Sequence, residues 1–115
     1  MYLLVSILKQ TQPLSDILGG FAKIGITGST VVNGTGMGRV LMQTSASSQL
    51  SDHIKKVVTD LESANNIILT VIKDKDTLDQ AIEIVKSFCG DLYEPGKGLL
   101  FALPLEVVEG LLDAE

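Results

Sequence analysis

A weak internal repeat constrains this chain more than any other feature of its sequence. Ser6-Ile7-Leu8-Lys9, a short polar connection, and then Leu14, Ile17, Leu18, Phe21 and Ile24 recur without gaps. The second copy is Thr70-Val71-Ile72-Lys73, followed by Leu78, Ala81, Ile82, Val85 and Phe88. Each copy is an apolar run, a turn, and apolar residues at i, i+3, i+4 and i+7, the spacing of one helix face. Two strand-helix units are therefore expected. A further strand candidate follows each helix: Ser29 to Val32, continuing through Arg39 to Met42, and Gly98 to Leu103. The resulting βαββαβ order predicts an α+β, ferredoxin-like sandwich with an antiparallel sheet and both helices on one face. At 115 residues the chain suits a single domain spanning residues 1–115.

Capping signals sharpen the elements. Thr77 with Gln80 three residues on reads as a capping box for the second helix, and Gly90 as its C-cap. Pro13 suits the first turn of the first helix, which is expected to stop at Gly25. Between strands 2 and 3 lies a long connection, Gln43 to Asn66. Leu50, Ile54, Val57, Val58 and Leu61 are spaced there for an extra, inserted helix. Leu105, Val108, Leu111 and Leu112 suggest a short amphipathic helix in the tail. One sheet face has no helix to cover it, and closed oligomerisation is the simplest way to bury it.

Composition excludes several functions. There are 9 Lys+Arg against 14 Asp+Glu, for a net charge of −5, and Arg39 is the only arginine. A nucleic-acid binder needs a basic stripe, which this chain lacks. Cys89 is the only cysteine, so an internal disulfide and a cysteine-based zinc site are ruled out and a cytoplasmic location is expected. Met1 to Leu8 is apolar but too short for a signal sequence and reads as a strand. No apolar run nears the roughly 20 residues a membrane-spanning helix needs.

Catalytic constellations are sparse, and the chain is not expected to be an enzyme or to hold a metal. His53, the only histidine, reads as a surface residue of the inserted helix. Ser45, Ser47, Ser48 and Ser51 have no nucleophile-elbow glycines. Asp74, Asp76 and Asp79 lack the glycine and terminal glutamate of a calcium loop and suit a helix N-terminus. Cys89 reads as a small core residue.

Two glycine segments stand apart. Asn33-Gly34-Thr35-Gly36-Met37-Gly38-Arg39 alternates glycines ahead of the only arginine. This pattern suits a backbone that approaches an anion with a guanidinium beside it, or equally a glycine bulge in a hairpin. Glu94-Pro95-Gly96-Lys97-Gly98 is not a Walker A loop, since Gly90 is one residue too distant and a strand follows. Pro95-Gly96 suits a type II turn. Lys97 and Arg39 place one cation on each glycine loop, enough together to hold a phosphate.

Gly25-Ile26-Thr27-Gly28-Ser29-Thr30-Val31, followed by Gly36-Met37-Gly38-Arg39, resembles the second-strand signature of the PII nitrogen-regulatory superfamily, and Gly96-Lys97 resembles its B-loop. The resemblance implies a homotrimer of ferredoxin-like subunits that pack their sheets inward. It implies no required cofactor but an adenine nucleotide effector (ADP, AMP or ATP, or a cyclic dinucleotide) in the clefts between subunits. Gly28, Ser29 and Thr30 would line the base, and Gly36, Gly38, Arg39, Gly96 and Lys97 would meet phosphates. The connection between strands 2 and 3 would then engage a partner, such as a membrane transporter or an enzyme. Three departures matter. Val40 stands where typical members carry the glutamine used with magnesium and 2-oxoglutarate. The tail lacks their phosphate-binding arginines, and the connection has no tyrosine to uridylylate. These point to a PII-like regulator and away from 2-oxoglutarate sensing. The alternative is a trimeric scaffold that has lost its ligand.

Overall fold

In the computed structural model, residues 1–37, 40, 51–53, 64–94 and 96–112 are described. The elements are β1 (Tyr2–Lys9), α1 (Leu14–Lys23), β2 (Ser29–Thr35), β3 (Ala64–Ile72), α2 (Lys75–Cys89) and β4 (Gly98–Pro104). The strands form one four-stranded sheet in the order β2-β3-β1-β4, with every neighbouring pair antiparallel. This is the expected α+β architecture with a ferredoxin-like strand order. No described helix is long and apolar enough to cross a membrane.

The alternation of each strand divides its side chains between two faces. Leu4 and Leu8 of β1 and Ile68 and Ile72 of β3 face the helices. There they pack with Ile17 and Phe21 of α1 and Leu78, Ala81, Val85 and Cys89 of α2. The two helices come close because Gly20 has no side chain: a Cβ there would lie 2.8 Å from Ile84 Cγ2. Cys89 is buried, as its reading as a core residue requires. Burial pushes its thiol pKa up, with the charge of Lys97 acting against that rise.

Four local expectations change. The cap of α2 is Asp74, whose Oδ1 accepts from the Thr77 backbone N–H at 2.8 Å. Asp74 has the extended backbone an N-cap needs, whereas Thr77 already lies inside the helix. β3 begins at Ala64 and takes residues 64–66 from the connection, because they pair with Lys9, Leu8 and the end of β2. β2 ends at Thr35, and Met37 and Val40 are helical, with the Val40 N–H donating to Gly36 O at 3.2 Å, so the chain leaves the sheet into a helical turn there. The tail to residue 112 holds no helix. The inserted helix expected over Leu50 to Leu61 falls outside the described residues except for residues 51–53.

Candidate functional site

The face of the sheet away from the helices is built in rows, which the strand register defines. Val32, Ile67, Ile7 and Leu99 form one row across β2, β3, β1 and β4, and Thr30, Leu69, Val5 and Phe101 form the next. Val71, Leu3 and Leu103 form the row nearest the start of β1. Ten of these eleven residues are apolar, and no described element covers them. Val32, Leu99, Phe101 and Leu103 are 44%, 57%, 44% and 39% exposed. Contiguous apolar patches of this kind mark interaction surfaces.

The remaining row differs in character. At the end of the sheet where β1 finishes, Gly34, Asn65 and Lys9 stand across β2, β3 and β1. One residue beyond the last β1–β4 pair, Leu8 with Gly98, lies Lys97. Lys9 thus ends β1 on this face, Lys97 stands one residue before β4 at the same end of the sheet, and among the described residues neither ammonium is paired with a carboxylate. Lys9 and Asn65 were missed in the glycine-based reading. The period of β1 carried the signal, because Leu3, Val5, Ile7 and Lys9 share one face.

The residues expected to form the site are distributed as follows. Gly96, exposed, has φ of 81°, which the second central position of a type II turn requires. Lys97 is half-buried, and its carbonyl accepts from Gln12 Nε2 at 3.2 Å, which ties this loop to the β1–α1 turn. Gly36 is half-buried just past β2. Gly38 and Arg39 lie outside the described residues. Thr30 is exposed on the open face. Ser29 is turned to the helix side, where its Oγ shares a hydrogen bond of 2.9 Å with Thr70 Oγ1, so its hydroxyl is already engaged. Gly28 borders a cavity of about 170 Å³ between the α1–β2 loop and the start of α2.

Gly34 sits in an unbroken ladder, since β2 keeps its register with β3 from Ser29–Thr70 to Thr35–Ala64. No bulge therefore explains the first glycine of the alternating segment. β2 and β4 are the two edges of the sheet. Three strand spacings and four residues along a strand separate Thr30 from Lys97, roughly 14 Å across and 13 Å along. Within one copy of the chain, Thr30 and Lys97 are therefore not brought together.

The family model for nitrogen regulatory protein P-II matches residues 1–114. The chain belongs to the P-II family. Family members are regulatory proteins, typically trimeric, that act through partners. A comparison with curated proteins found no match. In this P-II protein the segments whose residues resemble the family lie in part in β2 (Ser29 to Val31) and in part in the loop leading into β4 (Gly96-Lys97), and β2 and β4 are the two edges of the sheet.

Proposed function

We propose that this P-II protein is a non-enzymatic signalling protein that binds an adenine nucleotide between subunits of a homotrimer. Three copies pack their open sheet faces inward, so that the β2 edge of one copy meets the β4 edge of the next. Thr30 and the backbone of Gly28 and Ser29 from one copy line the base. Gly96 and Lys97, with Gly36, Gly38 and Arg39, meet the phosphates, and Lys9 and Asn65 extend the same polar row. An aromatic base against apolar rows, with phosphates at the end of the sheet where Lys9 and the Gly96-Lys97 loop lie, matches an adenine nucleotide to the polarity of this surface. Ligand occupancy then biases the connection between strands 2 and 3, through which a partner is engaged.

The observation that carries this reading is the placement of Thr30 in one edge strand and of Gly96 and Lys97 just before the other, joined by an uncovered apolar face that ends in a row holding Lys9. The test is thermal unfolding of the protein, with its mass in solution determined, against ADP, AMP, ATP and cyclic dinucleotides with and without magnesium. A ligand at a hundred times its Kd stabilises by about 2.7 kcal/mol, a shift of several degrees. Lys97→Ala or Arg39→Ala should remove that shift while the trimer persists. An intact trimer with no response to any nucleotide would instead favour the scaffold reading.

A further inference from the structure

Residues 105–112 leave β4 and carry no regular secondary structure. Their first residue is anchored: the Leu105 N–H donates to Met1 O at 2.9 Å, which holds the tail against the start of β1. Beyond that point the tail runs past the strand ends to the opposite edge of the sheet. There Leu111 Cδ1 lies 3.8 Å from where a Cβ on Gly28 would be. Leu111 and Leu112 close one side of the cavity of about 170 Å³ beside Gly28.

This seat is shallow. Leu105 supplies the one backbone hydrogen bond that joins the tail to the rest of the described residues. Val107 is 73% exposed and Leu112 85%. Gly110 has φ of 89°, a conformation open to glycine, and it lies immediately before the two leucines that reach the cavity. A segment with few buried apolar contacts and few backbone hydrogen bonds opens at low cost. The tail also carries Glu106 and Glu109, both exposed, so the segment that competes for this surface is itself acidic.

We propose that residues 105–112 form a strap that competes with the ligand for the surface of Gly28. This rests on the nucleotide reading: a base laid over Gly28 takes the place that Leu111 occupies. Strap and ligand are then linked reciprocally, so occupancy of the site releases the tail and docking of the tail weakens the site. Nucleotide state would thereby reach the C-terminus as well as the connection between strands 2 and 3.

The test uses two variants, Leu111→Ser and a chain ending at Gly110, titrated with fluorescent ADP beside the parent, with circular dichroism to verify folding. Losing a partly buried leucine contact should tighten binding about fivefold in both. A fluorophore on Leu112→Cys, with Cys89 buried and unreactive, should become more mobile as ADP is added. Unchanged or weaker affinity in both variants, with the parent binding normally, overturns the strap and leaves the nucleotide site standing. Absence of binding to parent and variants alike overturns both.

Discussion

Replacing Phe101 with aspartate tests whether the open sheet face is buried between copies. Phe101 lies in the row with Thr30, Leu69 and Val5, and it is 44% exposed in one chain. Of a phenylalanine's roughly 200 Å², about 90 Å² therefore remains for a neighbouring subunit to cover. At about 25 cal/mol per Å², that is about 2 kcal/mol per copy, or about 6 to 7 kcal/mol around a ring of three. Losing it should lower the trimer association constant by a factor on the order of 10⁴ to 10⁵. A carboxylate adds the cost of removing a charge from water. Phe101 faces away from the helix-side core, so the single chain should still fold. Sedimentation velocity at micromolar concentration should find the parent trimeric and Phe101→Asp monomeric, with the far-ultraviolet circular dichroism of both alike. A Phe101→Asp protein that sediments and melts like the parent would refute the inward-facing sheet.

Further predictions concern the fold. The Thr77 backbone N–H and hydroxyl hold the Asp74 carboxyl below its usual range, so its stabilisation is present above the unfolded value and fades as pH falls. Melting curves of Asp74→Ala should lie below the parent at neutral pH and converge with it below about pH 4. Ser6 Oγ is buried without a hydrogen-bond partner among the described residues, so Ser6→Ala should leave urea stability unchanged or raise it by up to about 1 kcal/mol. A clear loss would mean that the hydroxyl has a partner. Gly98 has φ of 133°, and a Cβ there would lie 2.7 Å from Ile7 O, so Gly98→Ala should cost on the order of 1 to 3 kcal/mol in urea unfolding.

Much of the architecture was legible in the chain because strand and helix periods are local. The repeat at Ser6 and Thr70 located two strand-helix units, and the apolar residues of α1 and α2 reached the core as their spacing required. Errors arose where several local solutions compete. Asp74 and Thr77 are both good caps, and the backbone conformation at Asp74 decided between them. In the tail, Leu105, Val108 and Leu111 have helical spacing, yet eight residues with a glycine near the end form no stable helix in water. The same three residues are half-buried along an irregular segment that crosses the strand ends. At the candidate site the glycine loops and Lys97 were legible from composition. Lys9 and Asn65 were not, because nothing local ties the last residue of β1 to the second residue of β3.

What the sequence alone determined is the set of elements and the face each side chain takes, since both follow from periods of two and of about 3.6 residues. The tertiary structure decided which residues become neighbours. Placing β3 and β1 between β2 and β4 puts the two signature segments on opposite edges of one sheet, although both lie beside strands that look interchangeable in the sequence. Strand order is a long-range choice, made by burying the helix-side faces of β1 and β3 at the centre of the core, and no local spacing records it.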